Sequence, residues 1–180
     1  GWCFRAIHGA ENGETWSRNQ RIELRNREME YQFLAKPDPE NIDKELLLLA
    51  EPEEENIKDY LSKSTCHVCL HKEKIIGAIL SIDTRPRTRE IMNISVYPEY
   101  QNQGIGKRLI QLSIQKAKED GIKIMEIGTG NPGVVQMLLY QKCGFRIIGI
   151  DFDFFRKNHN ELIYENGIEC RDMIRMRIEI

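Results

Sequence analysis

A buried strand that runs into a glycine turn and then opens a helix is a place where a chain can hold a phosphate. The stretch Glu90-Ile-Met-Asn-Ile-Ser-Val-Tyr-Pro-Glu-Tyr-Gln-Asn-Gln-Gly-Ile-Gly106 reads as such a place. Gly104 and Gly106 let the backbone curl with no side chain in the way, and a helix that follows points unpaired N–H groups and the positive end of its dipole at the turn. Two familiar phosphate loops are excluded. A Walker A loop needs four residues between its glycines and a following Lys-Ser/Thr, and a dinucleotide fingerprint needs a third glycine where this chain has Leu109. Cys66, His67, Cys69 and His71 have the residue types of a metal cluster, but on a strand Cys66 and Cys69 face opposite ways. That leaves three groups on one side with no fourth ligand, so no metal is expected. Cys143 has no base beside it in sequence and is expected to pack rather than react.

These residues need elements to position them. Strand-like runs at 31–35, 65–71, 75–82 and 88–97 predict a sheet, and the short polar connection at 72–74 predicts an antiparallel hairpin. Helices are expected over 42–50 and 53–61, with Pro52 tolerated near a first turn. After the glycine turn, Ile105, Leu109, Leu112 and, beside them, Ile110, Ile114 and Ala117 recur at three-and-four spacing. This predicts a helix over 107–120, packed on the sheet and capped at Gly121. A strand over 122–128, a helix over 134–143 stopped by Gly144, a strand over 145–155 and a helix over 156–165 follow. Asn166-Gly167 turns, and 170–180 alternates as a terminal strand. The order is α+β with strands dominating.

The whole chain sets limits on partners. At 180 residues it is long enough for one domain with a sizeable core. A formal charge of −2 gives no electrostatic reason to bind nucleic acid or an anionic membrane, and no segment approaches the roughly 18 apolar residues of a membrane span. The first ten residues lack a secretory signal, so a cytoplasmic protein is expected. Five cysteines are an odd number, which favours reduced thiols over a disulfide framework. Residues 1–28 are polar and aperiodic, and Met29 stands directly before the first strand-like run. They read as a leader or non-native extension to a single domain at 29–180.

The spacing Gln101-x-x-Gly104-x-Gly106, preceded by Ile94-Ser-Val-Tyr-Pro98 and followed by Leu139-Tyr-Gln-Lys-Cys-Gly-Phe145, resembles the GNAT superfamily of acetyl-coenzyme A-dependent N-acyltransferases. The resemblance implies a mixed, mostly antiparallel sheet flanked by helices, splayed between the strand ending near Val96 and the one ending near Gly128. By the same resemblance, Ile94, Ser95 and Val96 would meet the pantetheine arm of acetyl-CoA. The loop of Gln101, Asn102, Gln103, Gly104, Ile105, Gly106 and Lys107 would cradle its pyrophosphate. Glu90 stands where histone acetyltransferases of this superfamily carry a catalytic glutamate, and a carboxylate there can accept the proton that an ammonium must lose before it attacks. Tyr140 occupies the general-acid position. Asn131 looks like the asparagine that contacts coenzyme A, although it lies nine residues before the tyrosine where seven is common. Asp151 and Asp153, on one face of the predicted 145–155 strand, would border the acceptor pocket and meet a cationic amine.

The resulting reading is an N-acetyltransferase that moves acetyl from acetyl-CoA to a primary amine of a small molecule, by direct attack in a ternary complex. A homodimer is left open. The alternatives are acetylation of a protein lysine or N-terminus, and a coenzyme A-binding sensor without catalysis.

Overall fold

The computed structural model describes residues 31–36 and 38–180, so the expectation for residues 1–28 falls outside the described residues. In chain order, β1 (Tyr31–Lys36) leads through a single 3-10 turn to α1 (Lys44–Leu48) and α2 (Glu54–Leu61), then β2 (Thr65–His71), β3 (Lys74–Arg85) and β4 (Thr88–Val96). After the glycine turn come α3 (Ile105–Glu119), β5 (Ile124–Gly130), α4 (Val134–Lys142), β6 (Arg146–Asp151) and α5 (Phe154–Asn158). A small hairpin, β7 (Tyr164–Glu165) and β8 (Ile168–Glu169), precedes β9 (Met173–Glu179). The seven-stranded sheet has the order β1-β2-β3-β4-β5-β9-β6, and β7-β8 forms a separate ribbon. None of the described helices is long and apolar enough to cross a membrane.

Local chemistry explains most boundaries. Lys72 and Glu73 both take positive φ, 48° and 65°, which is the two-residue turn whose twist matches its flanking strands. It closes the β2–β3 hairpin at the pair His71–Lys74. Asp43 caps α1, its side chain accepting from the Glu45 N–H at 3.1 Å. The apolar spacing of α3 buries Ile105, Leu109, Ile110 and Ala117 against β2, β3 and β4.

The opposite face of the sheet is covered by α1 and α2. Leu46, Leu47, Ile57 and Tyr60 pack there with Val68, Ala78 and Leu80. Each fully buried leucine or isoleucine contributes about 1.5–3 kcal/mol from area removed from water. A polar peg orients this layer: buried Asn93 on β4 donates to the Leu47 carbonyl at 3.0 Å and to the Tyr60 hydroxyl at 3.1 Å. Both helices are thereby tied to the strand that carries Glu90.

The sheet is mostly antiparallel, with one parallel pair that matters most. β4 and β5 pair only from Thr88–Ile124 to Ile91–Ile127. The register of β3 on β4 slips just beyond, passing from Ser81–Ile91 to Leu80–Asn93 and leaving Met92 as an extra residue. A bulge bends its strand and raises its twist. From there β4 follows β3 to the pair Gly77–Val96, while β5 follows β9 to Gly130–Met173. The expected splay is present, and the bulge stands where it opens.

Three expectations are corrected. The strand expected over 145–155 ends at Asp151, because Asp153 adopts φ 59° and its N–H is held by the Asp172 carboxylate at 2.8 Å. The helix expected over 156–165 is α5, which starts earlier and stops at Asn158. His159 is extended, and its ring stacks on Phe155 and reaches Glu51 at 3.2 Å. The terminal strand starts at Met173 rather than at 170, since Arg171 and Asp172 direct their N–H groups to the Asn131 side chain.

Candidate active site

The gap between β4 and β5 offers unpaired backbone. The Tyr97 N–H bonds to the Ile76 carbonyl at 3.0 Å, and antiparallel pairing alternates, so Ser95 also turns its N–H and C=O toward β3. Ile94 and Val96 then direct theirs toward the gap. An extended arm laid in the gap would find strand-like partners in these two residues. The Val96 carbonyl already accepts from the Gln101 side-chain amide at 2.9 Å, which ties the start of the turn to the end of the strand. Ser95 contributes differently: it is buried, and its hydroxyl has no hydrogen-bond partner among the described residues.

Gly104 sits at φ 79° and is the N-cap of α3. The first helical bond runs from Arg108 to the Gly104 carbonyl, no side chain caps the end, and no acidic residue stands in the first turn. A helix start is normally stabilised by a capping oxygen or a carboxylate. Here Ile105, Gly106 and Lys107 present free amides beside cationic Lys107, an arrangement that favours a bound anion over isolated helix stability. Ile105 is buried and lies against the Gly77 backbone, anchoring the turn. Asn102, at φ 59°, and Gln103 are exposed at its outer rim. The donor set fits the pyrophosphate of coenzyme A.

Where β4 and β5 are still paired lies a charged cleft of about 360 Å³. Glu90 and Glu126 are directly paired across the β4–β5 register, and both side chains line it. The Glu90 carboxylate accepts from Arg175 Nη1 at 2.8 Å, and Arg175 also donates through Nε to Asp151 at 2.6 Å. Glu126 is held by Arg177 at 2.7 Å and by Arg85 at 2.5 Å. The two carboxylates are tuned apart. Burial pushes Glu90 above its ordinary value and Glu126 adds to this, with Arg175 offsetting only part. Burial also acts on Glu126, but the hydrogen bonds from Arg177 and Arg85 outweigh it and hold that carboxyl below its ordinary value. A partly buried carboxylate with a raised pKa is a better proton acceptor than an ordinary exposed one.

Tyr140 is buried in α4, its ring 6.4 Å from that of Phe145. Burial raises its pKa well above that of a free phenol, helped by Glu165 and Cys143, so the hydroxyl keeps its proton. That hydroxyl has no hydrogen-bond partner among the described residues.

Other expected residues are placed differently. Asn131 Oδ1 accepts from the Arg171 and Asp172 N–H groups at 2.8 and 3.0 Å, and Nδ2 donates to the Glu169 carbonyl at 3.1 Å. Its side chain pins the approach to β9, with both acceptor sites of Oδ1 and one N–H of Nδ2 engaged there. Asp151 reaches the cleft, whereas Asp153 pairs with Arg171 at 2.5 Å at the head of α5, so the two do not share a strand face. His67 and Cys69 are buried, and neither ring nitrogen of His67 has a hydrogen-bond partner among the described residues. Among the described residues, no group of three or more His, Cys, Asp or Glu side chains could hold a metal.

The residues missed from sequence are Glu126, Arg175 and Arg177. A signal was present: Arg175 and Arg177 alternate with apolar neighbours in a terminal strand, which puts both guanidinium groups on one face. Their partners, 85 and 51 residues away, follow from register alone.

The model of the acetyltransferase (GNAT) family matches residues 18–145. An uncharacterized N-acetyltransferase of Bacillus subtilis, YvbK, is 45% identical over 136 residues, which span 76% of this chain and 88% of that protein. The structure of an IAA acetyltransferase from Bacillus cereus shares 47% identity with a TM-score of 0.80, covering 83% of this chain and 99% of its own. A GNAT family acetyltransferase from Elizabethkingia anophelis, with acetyl-CoA bound, shares 41% identity at a TM-score of 0.80 and covers 84% and 99%.

Proposed function

The chain belongs to the acetyltransferase (GNAT) family and is an acetyl-CoA-dependent N-acetyltransferase; from that premise we propose that it acetylates a primary amine of a small molecule, with Glu90 as base and Tyr140 as acid. The observation that carries the proposal is the position of Glu90. It stands one residue before Ile91, the last β4 residue paired to β5, so its carboxylate lies at the mouth of the gap that would take the donor. The acceptor ammonium gives its proton to Glu90, directly or through one water, and the freed nitrogen attacks the thioester carbonyl. No covalent enzyme intermediate is needed, so most of the acceleration comes from holding amine and thioester together.

The backbone of Ile94 and Val96 lines the arm, and the Val96 N–H is placed to stabilise the developing oxyanion. Amides from Gln101 to Lys107 hold the pyrophosphate. The Tyr140 hydroxyl protonates the departing thiolate. Asn131 acts at one remove, by fixing the segment that leads into β9.

The test is release of free coenzyme A thiol from acetyl-CoA across amines, polyamines, amino acids and peptides, with wild type and Tyr140→Phe. The reading predicts amine-dependent release that falls sharply in the variant. Acetyl-CoA binding without turnover on any acceptor would contradict it and favour a sensor. Equal turnover by both proteins would remove Tyr140 from the mechanism.

A further inference from the structure

We infer that the amine this site accepts also carries a carboxylate, and that Arg175 is the residue that reads it. The inference rests on the proposed acetyl transfer and names the acceptor class for the same cleft. The observation behind it is that the cleft is electrically balanced. Arg85, Arg175 and Arg177 face Glu90, Glu126 and Asp151, and every one of these groups is paired. A polyamine or another purely cationic acceptor needs a surplus of negative charge, and this cleft has none.

The pairing on Glu90 sharpens the point. For the carboxylate to meet an ammonium, Arg175 Nη1 must let go of it. Arg175 itself cannot go far. Its Nε is held by Asp151 at 2.6 Å, and its guanidinium lies over the Phe154 ring at 5.2 Å from the centroid. The displaced cation therefore stays beside the incoming ammonium. An acceptor with positive charge alone would leave Arg175 Nη1 unpaired and facing a like charge, which is costly in a partly buried site.

A zwitterion avoids both costs. Its ammonium replaces the guanidinium on Glu90, and its carboxylate replaces Glu90 on Arg175. One ion pair, Arg175–Glu90, is given up and two are formed, while the Arg175–Asp151 pair is kept and the total charge does not change. The guanidinium is planar and offers parallel N–H groups, which suits a carboxylate geometrically as well as electrostatically. Glu126 does not compete in this exchange, because Arg85 and Arg177 hold it from both sides. The cavity of about 360 Å³ is of a size for a compact amino carboxylate.

The experiment compares matched acceptors: amino acids, their carboxamides and the corresponding decarboxylated amines, assayed by thiol release from acetyl-CoA. Wild type and Arg175→Gln are run at saturating acetyl-CoA, with the KM for acetyl-CoA measured on both as a control for folding. Wild type is expected to prefer the amino acid over its carboxamide by at least about tenfold in kcat/KM, which is one charge-assisted pair. In Arg175→Gln that ratio collapses to within about threefold through the KM of the amino acid, with the KM for acetyl-CoA unchanged. Turnover of carboxamides and amino acids alike by wild type would overturn the inference and leave acetyl transfer standing. So would a preference that survives in the variant. If the variant loses the preference together with acetyl-CoA affinity, Arg175 is structural and the inference falls. An absence of turnover on every amine contradicts the acetyl-transfer reading itself and the inference with it.

Discussion

The two walls of the gap between β4 and β5 are built from different materials. The donor side is backbone: a bulge, a strand edge and the uncapped start of a helix after a left-handed glycine. The acceptor side is made of side chains, three arginines and three carboxylates brought together from β3, β4, β5, β6 and β9. Backbone groups present the same amides whatever residues carry them, which suits a cofactor that does not vary. Side chains can be exchanged without disturbing the sheet, which suits a wall that selects the acceptor.

Substitutions can separate the two walls. Glu90→Gln keeps the shape of the acceptor side and removes its base, and kcat is expected to fall about 10²- to 10⁴-fold while the KM for acetyl-CoA stays put. Steady-state thiol release measures both. Tyr140→Phe removes one oxygen that has no partner among the described residues, so the fold should be retained. A fall in kcat of about a hundredfold is expected, at the low end of the range for a general acid. Gly104→Ala acts on the donor side. A side chain at φ 79° costs about 1–2 kcal/mol, which appears as a lower melting temperature and about a tenfold higher KM for acetyl-CoA, with the amine KM unchanged. Asp153→Asn marks the outer limit of the acceptor side. Its carboxylate pairs with Arg171 outside the cleft, and both KM values should stay within about twofold of wild type. A large rise in the amine KM there would extend the acceptor wall to α5.

The same contrast explains what could be read in the sequence. A site made of backbone requires local signals, and Gly104, Gly106 and the run from Ile94 to Val96 are such signals. The strand at Thr65–His71 was legible to the residue, and the helix after the glycine turn was legible from its apolar spacing. A site made of side chains depends on register. Glu90 could be nominated by resemblance, but its partner Arg175, 85 residues further on, follows from register alone. Nothing local to Glu126 reveals that it neighbours Glu90. Asn131 was expected at a coenzyme A contact from its place in a motif, and its bonds to residues 169–172, which hold the approach to β9, come from chain segments no local signal links to it. Asp153 failed for a backbone reason: its left-handed φ ends the strand that alternation had extended.

The central claim is that Glu90, paired with Arg175 at the mouth of the gap, takes the proton from the acceptor. The pH dependence of kcat/KM for the amine in wild type and Glu90→Gln tests it most directly. A carboxylate must be ionised to act as a base, so activity is lost as pH falls through its pKa. Burial raises that pKa, which places the acid limb of the wild-type profile above the 4.5 of an ordinary glutamate. The account predicts that limb in wild type and its absence from the residual activity of Glu90→Gln. A variant that keeps both the rate and the acid limb of wild type would contradict it.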